Sequence, residues 1–533
     1  MQDIVYKQGR EEMKKMVSGV ILTLFLTSIL TSAFNIQSVR STWAGTVYIH
    51  ADGSIDPPDA PMITYDNVTY TLTDNITSVG DGIIVKRDNI VIYGAGYTLT
   101  GTKEHFYKGI YLSGRMNVTI QNINIQNFFY GIGLAYSSNN SITENNLSAN
   151  YIYGGVRLDG SCNNSIVGNF FINNGLYVED SYWNVVEDNT VNGKPLVYLE
   201  GASDTSVMEA GQVILVSCNS IKVENLSLLN TIDGVQIRNT NTTTISGNNI
   251  TNNGKGARLY YSSNNNITRN NITNNDGEGI RLYSSLNYNG ISRNNIANNW
   301  EGIAIRHASN HNSISGNNVI NNGWGIDLYY SSNNRFYHNN FINNTQQVFI
   351  PTPGYTNTWD NGYPSGGNYW NNYTGTDANG DGIGDSPHVI DENNVDNYPL
   401  MGQLSSFNTT LGYSVDVISN STIEHFECFK SNSTIVMHVS NMTANQTVGF
   451  CRVTIPHELI APPYNITVNN APVEYNTILE NENLSIIYFT YEHSQIEIII
   501  VPEHSLTMLL LMLSIITVIV TTLKRKRNLR FSR

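Results

Sequence analysis

The sequence predicts an all-β chain whose main body is a parallel β-helix, followed by a small β-sandwich and a C-terminal transmembrane helix. Three observations carry this reading. Gly-Ile dipeptides or their variants recur at Gly109, Gly131, Gly155, Gly234, Gly256, Gly279, Gly302 and Gly325, mostly in steps of 22 to 24 residues. Asn-Asn pairs beginning at Asn248, Asn270, Asn294, Asn317 and Asn339 keep the same rhythm. The runs between them alternate with a period of two: in "GIRLY", Ile280 and Leu282 share one face while Arg281 and Tyr283 share the other.

The period excludes the competing repeat folds. A helical repeat needs apolar residues at 3.6-residue spacing, and a leucine-rich repeat needs its leucine and asparagine frame. Neither pattern is present. A coil of two or three short strands, stacked on the coil before it, remains. The 533 residues allow one to four domains. Only 14% are charged, against 40% hydrophobic and 32 tyrosines. Frequent β-branched residues turn that composition towards strands and away from disorder.

Stacking gives the asparagines a structural task. Equivalent side chains on successive coils lie about 4.8 Å apart, where their amides can hydrogen-bond in a ladder. Asparagine also tolerates the left-handed backbone that tight corners require. Sequons are abundant. Asn271, second of a ladder pair, is expected to be sequestered, whereas Asn432, Asn441 and Asn465 are expected to be accessible for glycosylation.

The elements follow in order. Lys14 and Lys15 precede the apolar run Val17–Leu30, so residues 1–34 read as a signal peptide or N-terminal anchor. Residues 45–350 form the β-helix. Residues 351–402 break the repeat with Trp359, Tyr363, Tyr369 and Trp370, which suit a cap over the last open coil. Residues 405–501 change to longer alternating strands such as "LSIIYFTY", read as a β-sandwich stalk. Ser505–Leu523 carries no charge and is long enough to span a bilayer. The basic tail 524–533 places that end in the cytoplasm. A cell-surface, single-pass protein with an extracellular ectodomain is therefore expected. The net charge is −14 and the tail is strongly basic, so the portion outside is more acidic still. That excludes nucleic acid as a partner. In an exported chain Cys428 and Cys451 are placed for a disulfide. Cys162 and Cys218 share a turn position two coils apart, about 10 Å, too far to bridge.

The repeats "NNITNNDGEGIRLYSS" and "NNVINNGWGIDLYYSSNN" resemble the NosD-like right-handed β-helix family, common in archaeal surface proteins. The stretch Gly193 to Cys218 resembles an excursion seen in that family. The resemblance covers roughly residues 45 to 400 and implies a right-handed coil. The family is named for a copper-enzyme maturation protein, so it also implies metal handling as an alternative function.

Candidate chemistry falls in three places. Asp377, Asn379, Asp381, Ile383 and Asp385 present oxygen ligands at alternate positions of a glycine-rich loop, as a Ca²⁺ loop does, although no Glu stands at the twelfth position. Asp159 and Glu179 share one outward column and are the carboxylates nearest to an acid/base pair. Counting outward from each Gly-Ile, one column reads Gln236, Arg258, Arg281, Ala304, Asp327, and the next Arg238, Tyr260, Tyr283, Arg306, Tyr329. Arg258, Tyr260, Arg281, Tyr283, Arg306 and Tyr329 are the residues a polysaccharide would use, through ring stacking and guanidinium donors. His307, His311 and His338 are the histidines considered for copper, without soft ligands beside them. The function expected is a glycan-binding, adhesive or cell-coat protein, binding rather than catalytic. A polysaccharide hydrolase, lyase or epimerase on the same scaffold is the alternative, and NosD-like copper handling the second.

Overall fold

The computed structural model describes residues 43–503 except 104–105, 151–153, 285, 430–432 and 493–495. The expected leader and the transmembrane segment Ser505–Leu523 lie outside the described residues. Every regular element within them is a strand. Among them no helix is long and apolar enough to cross a membrane. The chain divides into two units, one running to Phe171 and including Leu176–Val185, the other comprising Ile172–Gly175 and everything from Val186.

In the first unit, Ile83–Val85, Lys108–Ser113, Tyr130–Ala135, Val156–Asp159 and Leu176–Glu179 form one parallel ladder. Val118–Gln121, Ser141–Thr143 and Ser165–Val167 form another. Ile110, Ile132, Val156 and Leu176 of the first ladder are all fully buried.

In the second unit the coil is clearest at residues 255–275. Strands Lys255–Tyr260, Asn266–Thr268 and Asn271–Thr273 each pair in parallel with their counterparts Glu278–Tyr283, Gly290–Ser292 and Asn295–Ala297. The corners share one device. Tyr261, Asn264, Arg269 and Asn274 take positive φ (48°, 58°, 56° and 56°). Each is followed by an inward polar residue, Ser262, Asn265, Asn270 or Asn275, at most 2% exposed. Ala257, Leu259, Ile267 and Ile272 fill the interior. The glycine of each Gly-Ile has a steric cause. A Cβ on Gly256 would stand 2.3 Å from the carbonyl oxygen of Gly279 on the next coil.

The asparagine ladder is continuous. Nδ2 of Asn248, Asn270, Asn294, Asn317 and Asn339 donates to Oδ1 of the next member at 2.9–3.0 Å, ending on Asn368. The buried member is the first of each pair. The second stands outside, and Asn271 donates to Asn249 in an exposed outer ladder at 2.8 Å. The expectation that Asn271 is sequestered is thus corrected, because its side chain follows strand alternation to the solvent face. Asn441 and Asn465 are exposed, and Asn432 lies outside the described residues.

The excursion after Gly193 begins as a hairpin. Thr190–Val191 pairs antiparallel with Lys194–Glu200 around Asn192 and Gly193, both at positive φ, and that strand then pairs in parallel with Gln212–Val216. At the far end the stacked core residues grow into aromatics. Phe336 stacks on Trp359 at 4.2 Å and Phe341 on Trp370 at 4.4 Å, both tryptophans being buried. Tyr363 does not join them and is 55% exposed.

Beyond residue 402 lie two five-stranded sheets, one containing Ser414–Ser419, Val448–Pro456 and Leu484–Glu492, the other Ser421–Phe429, Thr434–Asn441 and Ile496–Pro502. Val417, Val453 and Ile487 of the first share one buried cluster with Met437 and Ile498 of the second. All four cysteines are free. The expected Cys428–Cys451 disulfide is therefore corrected. The two residues sit on different sheets, and Cys451 is buried against Tyr491 and Ser419.

Candidate functional site

The outward face of the long-strand sheet in the second unit gathers the predicted polysaccharide residues. The register pairs Arg258 with Arg281 and Tyr260 with Tyr283 on adjacent coils. It pairs Tyr283 with Arg306 and Arg306 with Tyr329 on the next two. Strand alternation sends these side chains outward, and the fixed coil length stacks them.

The arginines are engaged. Arg258 ion-pairs with Asp233 at 3.0 Å and Arg281 with Glu278 at 2.8 Å. Arg306 pairs with Glu301 at 2.6 Å and with Asp327. Lys255 also meets Glu278. Asp233, Glu278, Glu301 and Asp327 are at most 5% exposed. The guanidiniums therefore neutralise carboxylates that the same face buries. Burial pushes the Glu301 carboxyl up to about 7 although Arg306 opposes it. Burial also raises Glu278, but Lys255 and Arg281 prevail and hold it at about 2.

The rings form a row. Centroids lie 5.2 Å apart for Tyr260–Tyr283, 4.5 Å for Tyr283–His307 and 5.3 Å for His307–Tyr329. The row continues at 4.2 Å to Tyr330 and 5.7 Å to Tyr355. Beside it runs an open groove of about 540 Å³ lined by Tyr261, His307, Asn310, Tyr330, Ser332 and Tyr355. Tyr261, His307 and Tyr330 occupy the corner after the long strand at φ of 48°, 57° and 51°. Asn239 and Ser284 fill that corner on other coils. A bulky ring in the left-handed region costs backbone strain that Asn largely avoids. Tyr261 and Tyr330 are nonetheless 51% and 42% exposed, so core packing does not explain them. Reading only the two outward columns missed these residues. One position further along, the same count reaches Tyr261, His307 and Tyr330.

The other candidates are arranged differently. Asp159 and Glu179 are register neighbours in the first unit. Arg157 lies between them, donating to Asp159 at 3.0 Å and to Glu179 at 2.8 Å. They are an ion-paired trio rather than a free acid and base. In the loop at 377–385, Asp377 accepts from the backbone of Asp381 and Gly382, Asp381 from that of Ile383, and Asp385 from that of Ala378. Asn379 turns its Nδ2 towards Asp381. Ile383 is buried with Leu400, Ile418 and Phe450. Arg452, 2% exposed, donates to the Pro364 carbonyl, and Asp381 and Asp377 contribute negative charge to its surroundings. Main-chain N–H groups thus hold the carboxylates of this loop in place, and Arg452 places positive charge near Asp377 and Asp381 without an ion pair to either. His307 belongs to the aromatic row, His311 stacks on Tyr288, and His338 meets the Ser365 carbonyl. Among the described residues no three His, Cys, Asp or Glu side chains gather into a group able to hold a metal.

Residues 200–375 match the family model described as periplasmic copper-binding protein (NosD), and residues 67–232 match that of the right-handed β-helix region. Over residues 67–375 the chain is similar to the NosD-like right-handed β-helix family. No curated protein matches it. The solved structures similar to this β-helix protein include the A-module of mannuronan C-5 epimerase AlgE4 from Azotobacter vinelandii, at 14% identity, 54% of this chain, 85% of that chain and a TM-score of 0.25. The DFA-IIIase of Arthrobacter chlorophenolicus A6 in complex with GF2 is 12% identical, over 61% and 74%, with a TM-score of 0.24. The tailspike of E. coli bacteriophage HK620, in complex with a pentasaccharide, is 10% identical, over 81% and 82%, with a TM-score of 0.25.

Proposed function

We infer that this NosD-like β-helix protein binds a glycan chain laid along the helix axis, as an exported protein anchored at the cell surface by Ser505–Leu523. The observation that supports it is the unbroken row Tyr260–Tyr283–His307–Tyr329–Tyr330–Tyr355 beside an open groove. Ring faces take the C–H faces of sugars, while Asn310 and Ser332 offer groups for hydroxyls. The arginine–carboxylate network beneath holds the rings in place. A glycan passing along the face meets a ring at every coil, about 4.8 Å apart, close to one sugar of advance per coil.

A second reading rests on the place of Glu301, a buried carboxyl on the same face that burial pushes up to about 7 although Arg306 pairs with it. A carboxyl that stays protonated near neutral pH suits a general acid, and it keeps polysaccharide cleavage or epimerisation as the alternative.

The test is a glycan panel presented to the intact chain, with analysis of the products. The Tyr261→Ala/Tyr330→Ala/Tyr355→Ala variant should melt like the parent and bind at least tenfold more weakly. A folded triple variant with unchanged affinity would sink the binding site proposed here. Shortened or epimerised glycans in the product analysis would replace it with the catalytic reading.

A further inference from the structure

The first unit holds a pocket that none of the preceding arguments uses. The column Tyr111, Gly133, Arg157, Tyr177 on its long-strand sheet has one member without a side chain. The ring of Tyr130 lies across this gap, so close that a Cβ on Gly133 would stand 2.1 Å from Cε2. Above this floor remains a space of about 180 Å³, walled by Phe106, Tyr111, Phe129 and Tyr130 and bordered by Lys108, Arg157 and Asp159. Phe106 packs edge-on against Phe129 at 4.7 Å yet is 72% exposed, so it forms an outer rim.

The polar groups here are underused. Lys108 Nζ lies 4.4 Å from the centre of the Tyr111 ring. Among the described residues neither Nζ nor the phenol oxygens of Tyr111 and Tyr130 hydrogen-bond to a protein atom. Tyr130 is 8% exposed, and burial raises its pKa well above that of an ordinary phenol. These groups border the open space and are available to a ligand. Arg157 is ion-paired with both Asp159 and Glu179, and Lys108 stands against these carboxylates and Asp81, so no unopposed cluster of one sign borders the space. A ligand with its own charge is therefore not called for.

We propose that this pocket binds a single neutral sugar residue. Aromatic walls suit the C–H faces of a pyranose, and a rim of donors with one carboxylate acceptor suits hydroxyls, each of which donates and accepts. The volume, below the roughly 300 Å³ at which drug-sized sites begin, restricts the occupant to one ring. The site uses residues 106–159 only and is independent of the aromatic row.

Saturation-transfer NMR of the intact chain with methyl glycosides of glucose, galactose, mannose and N-acetylglucosamine, and with methyl glucuronide, tests it. At least one neutral glycoside should bind, and Phe106→Ala and Lys108→Met should each weaken that binding about tenfold. Phe106 is exposed, so its removal leaves folding undisturbed. Tyr261→Ala/Tyr330→Ala should leave the affinity unchanged. No binding of any neutral glycoside, binding of the glucuronide alone, or affinity unaltered in both pocket variants would overturn the assignment.

Discussion

Asn270 and Asn294 stand on consecutive coils with the Nδ2 of one donating to the Oδ1 of the other at 3.0 Å. The same Oδ1 accepts the backbone N–H of Asn270 at 2.9 Å, and Asn294 Nδ2 in turn reaches the Ile267 carbonyl at 2.8 Å. One side chain thus satisfies two backbone groups of the coil before and donates to Asn317 on the coil after. Asn294→Ala would leave several buried groups unpaired, each costing about 1–3 kcal/mol. It should lower stability by about 2–5 kcal/mol in denaturant titration, while Asn295→Ala in the outer ladder should cost under about 1 kcal/mol. Equal losses at the two positions would show that the inner ladder contributes nothing of its own.

Arg306 holds two carboxylates together, Glu301 and Asp327. Arg306→Met leaves both buried without a partner, a change that costs about 3–5 kcal/mol in comparable cases. Replacing the carboxylates as well, with Glu301→Gln and Asp327→Asn, should recover most of the loss. A single variant that melts with the parent would show that water reaches these groups and that the face is not closed.

The same cluster sets a pH dependence. Glu301 is raised from 4.5 to about 7 by burial, so the stability it contributes is complete below 4.5 and is lost as pH rises through 7. Glu278 is lowered to about 2, so its contribution is present above 4.5 and lost as pH falls through 2. Between pH 4.5 and 8 the melting midpoint of the parent should therefore fall relative to Glu301→Gln. The reverse slope would contradict the buried position of Glu301.

Arg452 and calcium make opposite forecasts for the loop at 377–385. If the guanidinium is the countercharge for Asp377 and Asp381, a chelator leaves the melting midpoint unchanged and Arg452→Met lowers it. That is the outcome expected. A fall on chelation together with a silent Arg452→Met would establish the calcium loop instead.

Much of this was legible in the chain itself. The 22- to 24-residue period and the period-two runs specify stacked parallel coils, because only stacking buries a repeat whose single unit has no core. The Gly-Ile register placed Arg258, Arg281, Tyr260 and Tyr283 on adjacent coils correctly, since equivalent positions in a coil of constant length must align. What each side chain then meets was decided by the tertiary structure. Whether Asn270 or Asn271 turns inward depends on the corner before it, where Arg269 takes positive φ and reverses the alternation. Asp233, Glu278, Glu301 and Asp327 lie several residues or a coil away from the arginines that neutralise them, so no local pattern announces the pairing. The pocket over Gly133 arises because one column lacks a side chain and a neighbouring ring crosses the gap, a fact about packing between coils that no single repeat contains.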